Sequence, residues 1–384
     1  MRYLLTFKPL KHFFFGNNKT FSDDYLAVSE YFPQNTQLLG ALRLYIAEQS
    51  ELMKVYRSGK WCDKPEELKS LTGSATSKDF MTNNNLGKIQ NLSQMFVVSK
   101  DLDDAYFQTP LDVKIDIDKH GTQIMNDNGD IHTVSYPQKA KLTYYELASL
   151  DDEYFLKNYD AKDYSSQMLG NKAFWNFYTN KEPRSINGLY HFEKNDAQYH
   201  GMFIPHSQVG IELENKQTVD EKFYSKIDYQ LNDKFLFACV IDLEEKILDD
   251  GIIQIGAESS LFELKVQKLE DTNITDHKVI QNIFNTPKDG DKIVAMSDVI
   301  IDSTDNLNAK FSIIPYYKNF AMIKSDDNSF TGKSKEKENQ KFKRKTSPKR
   351  VIPAGSVIFT ENIPSQNIGA YAKMGYNQFI AIQN

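Results

Sequence analysis

The chain has 384 residues, 40% hydrophobic and 26% charged, long enough for two ordinary domains and balanced in a way that excludes wholesale disorder and fibrous repeats. Aromatics reach 12%, with 25 Phe and 21 Tyr against 2 Trp, which favours strands over Ala-rich helical bundles. The net charge of −6 is uneven: residues 331–350 (TGKSKEKENQKFKRKTSPKR) hold nine Lys/Arg against Glu336 and Glu338, and that local +7 leaves −13 on the remainder. A wholly basic nucleic-acid binder is thereby excluded. The segment is read either as a small nucleic-acid footprint on an acidic body or as a solvated, disordered loop.

In chain order, Arg2 to Pro9 reads as a strand, and Lys8, Lys11 and His12 interrupt its apolar context too soon for a signal peptide. An aromatic and polar loop follows, Lys11 to Phe21. Pro33 and Asn35 then introduce TQLLGALRLYIAEQ, a helix with Leu38, Leu42, Tyr45 and Ile46 in one stripe and Asn35 or Thr36 as N-cap. Gly40 within it implies a close approach to the helix backbone, and Arg43 shares its face. Strands are expected at Ile89 to Ser99 and Leu111 to Asp118, a hairpin turn at NDNGD (126–130), and a weak helix at Lys141 to Asp152. The stretch FWNFYTNKEPRSINGLYH (174–191), with five aromatics around Lys181, Pro183 and Arg184, reads as an exposed insertion.

In the second half, FLFACVID (235–242) is continuous and apolar, as in a strand buried on both faces, and Leu261 to Gln267 alternates as a half-exposed one. Further strands are expected at Lys292 to Ile301, Phe311 to Tyr317, Val351 to Thr360 and Gln378 to Ile382. Strands and helices recur in each half, which predicts two α+β sandwiches.

Several chemistries are missing. The chain lacks GxxxxGK[ST], GxGxxG, GxSxG, HExxH and CxxC patterns, and Cys62 and Cys239 support neither a disulfide framework nor a four-thiolate zinc site. Two cysteines fit a reducing cytosol, and the apolar runs are too short to cross a bilayer. Asp112, Asp116 and Asp118 read as a solvated edge rather than a metal site, no histidine stands in a metal-ligand spacing, and no cofactor is expected. His12, beside Lys11 and a Phe-Phe-Phe-Gly loop, could act as a general base on an RNA 2′-hydroxyl, bond a phosphate or cap the loop. Two glycine loops, 255–260 and 368–377, offer backbone N–H groups to phosphate, with Lys373 adding charge and Tyr371 or Tyr376 a stacking face, or else are tight turns between strands.

The ordered motifs KPLKHFFFGNNKTF, YFPQNTQLLGALR, VGIELENKQTVDEKFY, IGAESSLFEL and NIGAYAKMGYNQF together resemble subunit three of the Cmr complex, a RAMP-superfamily protein of type III-B CRISPR effectors. The resemblance runs through the whole chain. It implies an α+β protein of two ferredoxin-like (RRM-like) domains with β-hairpin and loop insertions. These are expected at 1–205, with an aromatic and basic insertion near 174–191, and at 206–384, with the basic loop 331–350 and the glycine loop 369–377. It implies a non-catalytic cytoplasmic subunit that grips the 5′ repeat-derived handle of the guide RNA and docks the large polymerase-like subunit and a neighbouring backbone subunit. RNA-binding positions carried over or inferred are Lys11, His12, Asn17, Lys19, Gln37, Arg43, Lys181, Arg184, Gly256, Ser259, Gly369, Lys373, Gly375 and Asn377. Ala257, Ser259 and Ser260 depart from the family pattern at the first glycine loop. The alternatives are a metal-independent endoribonuclease using His12, or a scaffold without RNA contact.

Overall fold

The computed structural model describes residues 1–16, 26–50, 52–56, 59–62, 64–74, 85–117, 123–125, 131–133, 138–150, 153–157, 168–180, 185–192, 195–196, 199–214, 217–257, 260–285, 290–300, 309–320, 349–360 and 369–382. Strand β1 (Arg2–Pro9) lies inside a sheet of eleven strands, antiparallel to Phe235–Leu243 on one side and to Leu261–Lys268 on the other. Beyond Phe235–Leu243 the sheet continues through Phe96–Ser99 and Ala105–Gln108 to Val113–Ile117 at its far edge. A second sheet holds Ala309–Ile313, Val357–Thr360, Lys292–Ala295 and Phe379–Ile382 in that order. A long hairpin, Phe203–Glu214 with Gln217–Leu231, takes Leu26–Val28 as a parallel third strand.

The unbroken apolar run 235–243 exists because both faces of its strand are covered. Phe237, Cys239 and Ile241 join Leu5 and Phe7 beneath helix α1 (Asn35–Gln49), whose Leu38, Leu42 and Ile46 are fully buried. Ala238 and Val240 face the other way, toward Leu4, helix α3 (Lys172–Asn180) and Val294, Val357 and Ile380 of the second sheet. The two sheets therefore share one core, and the eleven-stranded sheet draws strands from both sides of residue 205.

The α+β class, β1, α1 and the strands near 89–99, 235–243, 261–268, 292–300 and 357–360 agree with the sequence reading. Strands 123–125 and 131–133 pair around the expected turn, which itself lies outside the described residues. Three expectations are corrected. The described residues of 174–191 are not an exposed insertion: Phe174, Trp175 and Tyr178 share one face of α3 at helical spacing and are fully buried, and Ser185–His191 is a strand of the large sheet. The weak helix at 141–152 is instead the strands Gln138–Tyr144 and Glu146–Leu150, as a Thr-Tyr-Tyr run prefers. Gly40 is exposed, and a Cβ there would meet nothing within 4 Å, so no close approach explains it.

His277 heads the short helix Lys278–Asn282, where its Nδ1 accepts the Val279 N–H at 3.2 Å. Burial pushes its pKa from 6.5 down to about 3. Over that window the unfolded chain binds a proton that the folded chain does not, so stability falls as pH drops, by at most about 1.4 kcal/mol per pH unit. Denaturant unfolding at pH 7 and pH 5 should show wild type losing about 2 kcal/mol more than His277→Asn, which keeps a capping acceptor. Equal losses would rule this out.

Candidate nucleic-acid interface

The loop that leaves β1 is held peptide by peptide. Phe13 exchanges two backbone hydrogen bonds with Tyr229 of the hairpin, at 2.8 and 3.1 Å. Phe14 N–H donates to Ser260 Oγ at 3.0 Å, and its carbonyl accepts from Ala257 at 2.9 Å. The Phe15 carbonyl accepts from Gln37 Nε2 at 3.1 Å, while Gln37 Oε1 accepts the Gln34 N–H at the start of α1. The three phenylalanine rings are buried, Phe13 at 5.1 Å from Phe237 and Phe15 stacked on Phe262 at 5.9 Å. Phe13 and Phe15 belong to the core, while Phe14 lines the cleft beside the loop. Three sequence-singled segments, the first loop, the head of α1 and the first glycine loop, thus meet at one place. Gly256 belongs there because its φ is +87° and a Cβ would lie 2.7 Å from the Phe14 carbonyl oxygen.

Beside this loop opens a cleft of about 610 Å³. Lys8, Lys11, Lys100 and Lys226 line it with His12, against two carboxylates, Asp228 and Asp233. Lys8, Lys11 and Lys100 are exposed, so a cationic wall stands on a chain whose net charge is −6. Lys226 is buried beneath the Phe14 ring, 5.3 Å from its centre, with Nζ 3.3 Å from Asp228 Oδ2. The other oxygen of Asp228 faces two imidazoles: His12 Nδ1 at 3.4 Å and His206 Nδ1 at 3.2 Å, the rings 4.2 Å apart. The sequence provides His12 with no partner at credible spacing; the fold supplies two. Local register explains this: His206 pairs directly with Asp228 across the hairpin, and the Phe13–Tyr229 bridge brings His12 alongside. Lys226, Asp228 and Gln230 alternate along one strand face, a period-2 signal that could have marked the hairpin wall.

The other sequence-singled residues fall elsewhere. Arg43 is half-buried and its Nη2 donates to the Gly73 carbonyl at the end of helix α2 (Pro65–Thr72), with burial lowering its pKa. Gly369 opens a one-turn helix, Gly369–Ala372. The loop after it turns inward: Tyr371 and Tyr376 are buried in the core, so neither is a stacking face. The N–H groups of Met374, Gly375, Tyr376 and Asn377 donate within the protein, to Tyr371, Ala372, Tyr371 and Asp298. Asn377, at φ 54°, accepts from Ile300 N–H at 2.7 Å and donates to its carbonyl at 3.1 Å. Lys373 alone of this loop's singled residues keeps a half-exposed cationic side chain. Asn17, Lys19, Lys181, Arg184 and Ser259 lie outside the described residues, as does most of the basic segment 331–350. Among the described residues no helix is long and apolar enough to cross a membrane.

Fold and cleft together define a strand-rich α+β protein with a cation-lined cleft between its first loop and a long hairpin. Residues 5–382 match the family model described as CRISPR-associated protein (Cas_Cmr3), and the chain belongs to that family, subunit three of type III-B Cmr effectors. The resemblance read from the motif order is borne out. Two chains from solved structures of the type III-B Cmr-beta also match, one structure of Cmr-beta bound to cognate target RNA and the other of Cmr-beta bound to cognate target RNA and AMPPnP. They share 14% and 13% identity with TM-scores of 0.46 and 0.47, each match covering 99% of this chain and 96% of the other. An apo Cmr-beta chain matches at 9% identity and TM-score 0.29, over 70% of this chain and 98% of that one. No curated protein matches.

Proposed function

We propose that this chain is a non-catalytic, cytoplasmic subunit that holds guide RNA within a type III-B CRISPR effector, with backbone phosphates of the 5′ handle lying in the lysine-lined cleft. The observation that carries this reading is the cluster of Lys8, Lys11, Lys100 and Lys226 around one cleft on an otherwise acidic chain. Single-stranded RNA held in an irregular path is gripped through its phosphates by cations on a fixed scaffold. The acidic remainder suits docking to the large polymerase-like subunit and a neighbouring backbone subunit.

The strand orders support two ferredoxin-like units. In the large sheet, Leu261–Lys268, β1, Phe235–Leu243 and Phe96–Ser99 lie side by side, the order 4-1-3-2; in the second, Phe379–Ile382, Lys292–Ala295, Val357–Thr360 and Ala309–Ile313 repeat it. On this reading residues 100–234 are a long insertion into the first unit, which ends near 268 rather than 205.

Lys11→Ala should weaken guide-RNA binding and lower the salt slope by about 0.7, the loss of one single-strand phosphate contact. Anisotropy titrations across a salt series check this; an unchanged affinity and slope would remove Lys11 from the interface. The pairing of His12 with His206 beside Asp228 favours one second reading, metal-independent RNA cleavage by an imidazole pair. Incubation with labelled repeat RNA in chelator separates these outcomes: retention without cleavage is expected, cleavage would establish the nuclease, and neither would leave a scaffold.

A further inference from the structure

We propose that His12, His206 and Asp228 form a binding site for one Zn²⁺ ion at the edge of the cleft, which His12 and Asp228 line. One ligand atom from each of the three lies within 4.8 Å of the other two. The separations of Asp228 Oδ1 from the two Nδ1 atoms, 3.4 and 3.2 Å, match the edge of a zinc tetrahedron, about 3.3 Å for metal–ligand arms of about 2.0 to 2.1 Å. Two imidazole nitrogens and one carboxylate oxygen are a ligand set zinc takes readily, with the fourth position left to water or another anion.

A second observation points the same way. Asp228 is 3% exposed, and its Oδ1 accepts no hydrogen bond from any described atom although two imidazoles flank it. A buried carboxylate oxygen left in that state costs free energy that a bound cation would offset. The surroundings are also built for ligation. Lys226 holds Oδ2 from behind at 3.3 Å, the role that outer partners play for metal-binding carboxylates, and leaves Oδ1 to point at the histidines. All three ligands stand on fixed backbone: His206 opposite Asp228 in the hairpin ladder, and His12 next to the doubly bonded Phe13–Tyr229 bridge. The site does not depend on RNA being the occupant of the cleft.

The full-length chain, stripped with chelator and dialysed, is titrated with Zn²⁺ by calorimetry and with Co²⁺ by visible absorption. The expected result is one ion per chain, a four-coordinate cobalt spectrum, and a melting temperature raised by Zn²⁺. His206→Ala, at a half-exposed side chain where the fold should persist, and Asp228→Asn are each expected to weaken binding by about 100-fold or more, since even outer-partner losses cost about 10- to 100-fold. Circular dichroism confirms that the variants remain folded. Absence of ion uptake by wild type, an adventitious octahedral cobalt spectrum, or variants that bind as tightly as wild type would each overturn the proposal.

Discussion

Replacing Gly375 by valine is expected to destabilise the fold by about 2 to 5 kcal/mol, whatever it does to RNA binding. Gly375 sits at φ +88°, a conformation that costs an L side chain about 1 to 2 kcal/mol before any contact is made. A Cβ there would lie 2.8 Å from the carbonyl carbon of Ser93 and 2.9 Å from Asn35 Nδ2 and the Gln94 nitrogen. Two of those three atoms are backbone, and that backbone is pinned: Ser93 exchanges hydrogen bonds of 2.8 Å with Val240, and Gln94 N–H donates to Gln378. The neighbour has nowhere to go, so the overpacking adds a further 1 to 3 kcal/mol or so. From sequence, Gly375 is expected beneath an RNA strand; the geometry puts protein backbone in that place. Lys373→Ala, with its half-exposed side chain, should by contrast leave the melting temperature nearly unchanged. Thermal and urea unfolding of both variants, run beside RNA isotherms, make the comparison. A Gly375→Val protein that melts like wild type yet fails to hold RNA would restore the ligand reading of this loop.

The contrast between the two glycine loops shows where sequence reading stops. A glycine that lets a phosphate approach and one that lets the chain's own carbonyl approach look alike in one dimension; Gly256 under the Phe14 carbonyl and Gly375 against Ser93 are both of the second kind. Strong periodicity or a continuous apolar run, by contrast, was enough to place α1 and the strand 235–243, because burial on one face or on both leaves a local trace. The aromatic stretch 174–180 carries the same helical trace, but Lys181 and Arg184 nearby suggest solvent, and the spacing of Phe174, Trp175 and Tyr178 decides otherwise. The cluster of His12, His206 and Asp228 had no local trace at all. Its members lie up to 216 residues apart, and only the hairpin register and the bridge from the first loop set them side by side. The sequence singles out Lys11 and His12, and both line the cleft, but it does not single out Lys8, Lys100 and Lys226, which complete its charge.

The other large effect belongs to a residue that sequence places at a solvated edge. Asp112→Ala is expected to cost about 3 to 5 kcal/mol, because it strands a buried charge. Asp112 Oδ2 lies 2.5 Å from Lys292 Nζ, with side chains only 1% and 5% exposed, and Oδ1 accepts from Tyr178 Oη at 2.8 Å. The ammonium also stands over the Tyr178 ring, 4.8 Å from its centre. Burial, reinforced by the Asp112 charge, holds the Tyr178 hydroxyl well above its usual pKa, so it stays a donor to the carboxylate. This triad joins three parts of the chain: the turn before Val113–Ile117, helix α3, and Lys292–Ala295 of the second sheet. Removing either charge leaves the other in apolar surroundings, where each single loss is severe and the two losses overlap. The double variant Asp112→Ala with Lys292→Met should therefore be more stable than either Asp112→Ala or Lys292→Met alone, since neither charge remains to be orphaned. Guanidinium unfolding of the four proteins tests this. Strict additivity, or single losses below about 1 kcal/mol, would mean that water reaches the pair and screens it as at a surface. Because none of the three residues lines the cleft, the double variant should keep the RNA salt slope of wild type while Lys11→Ala does not.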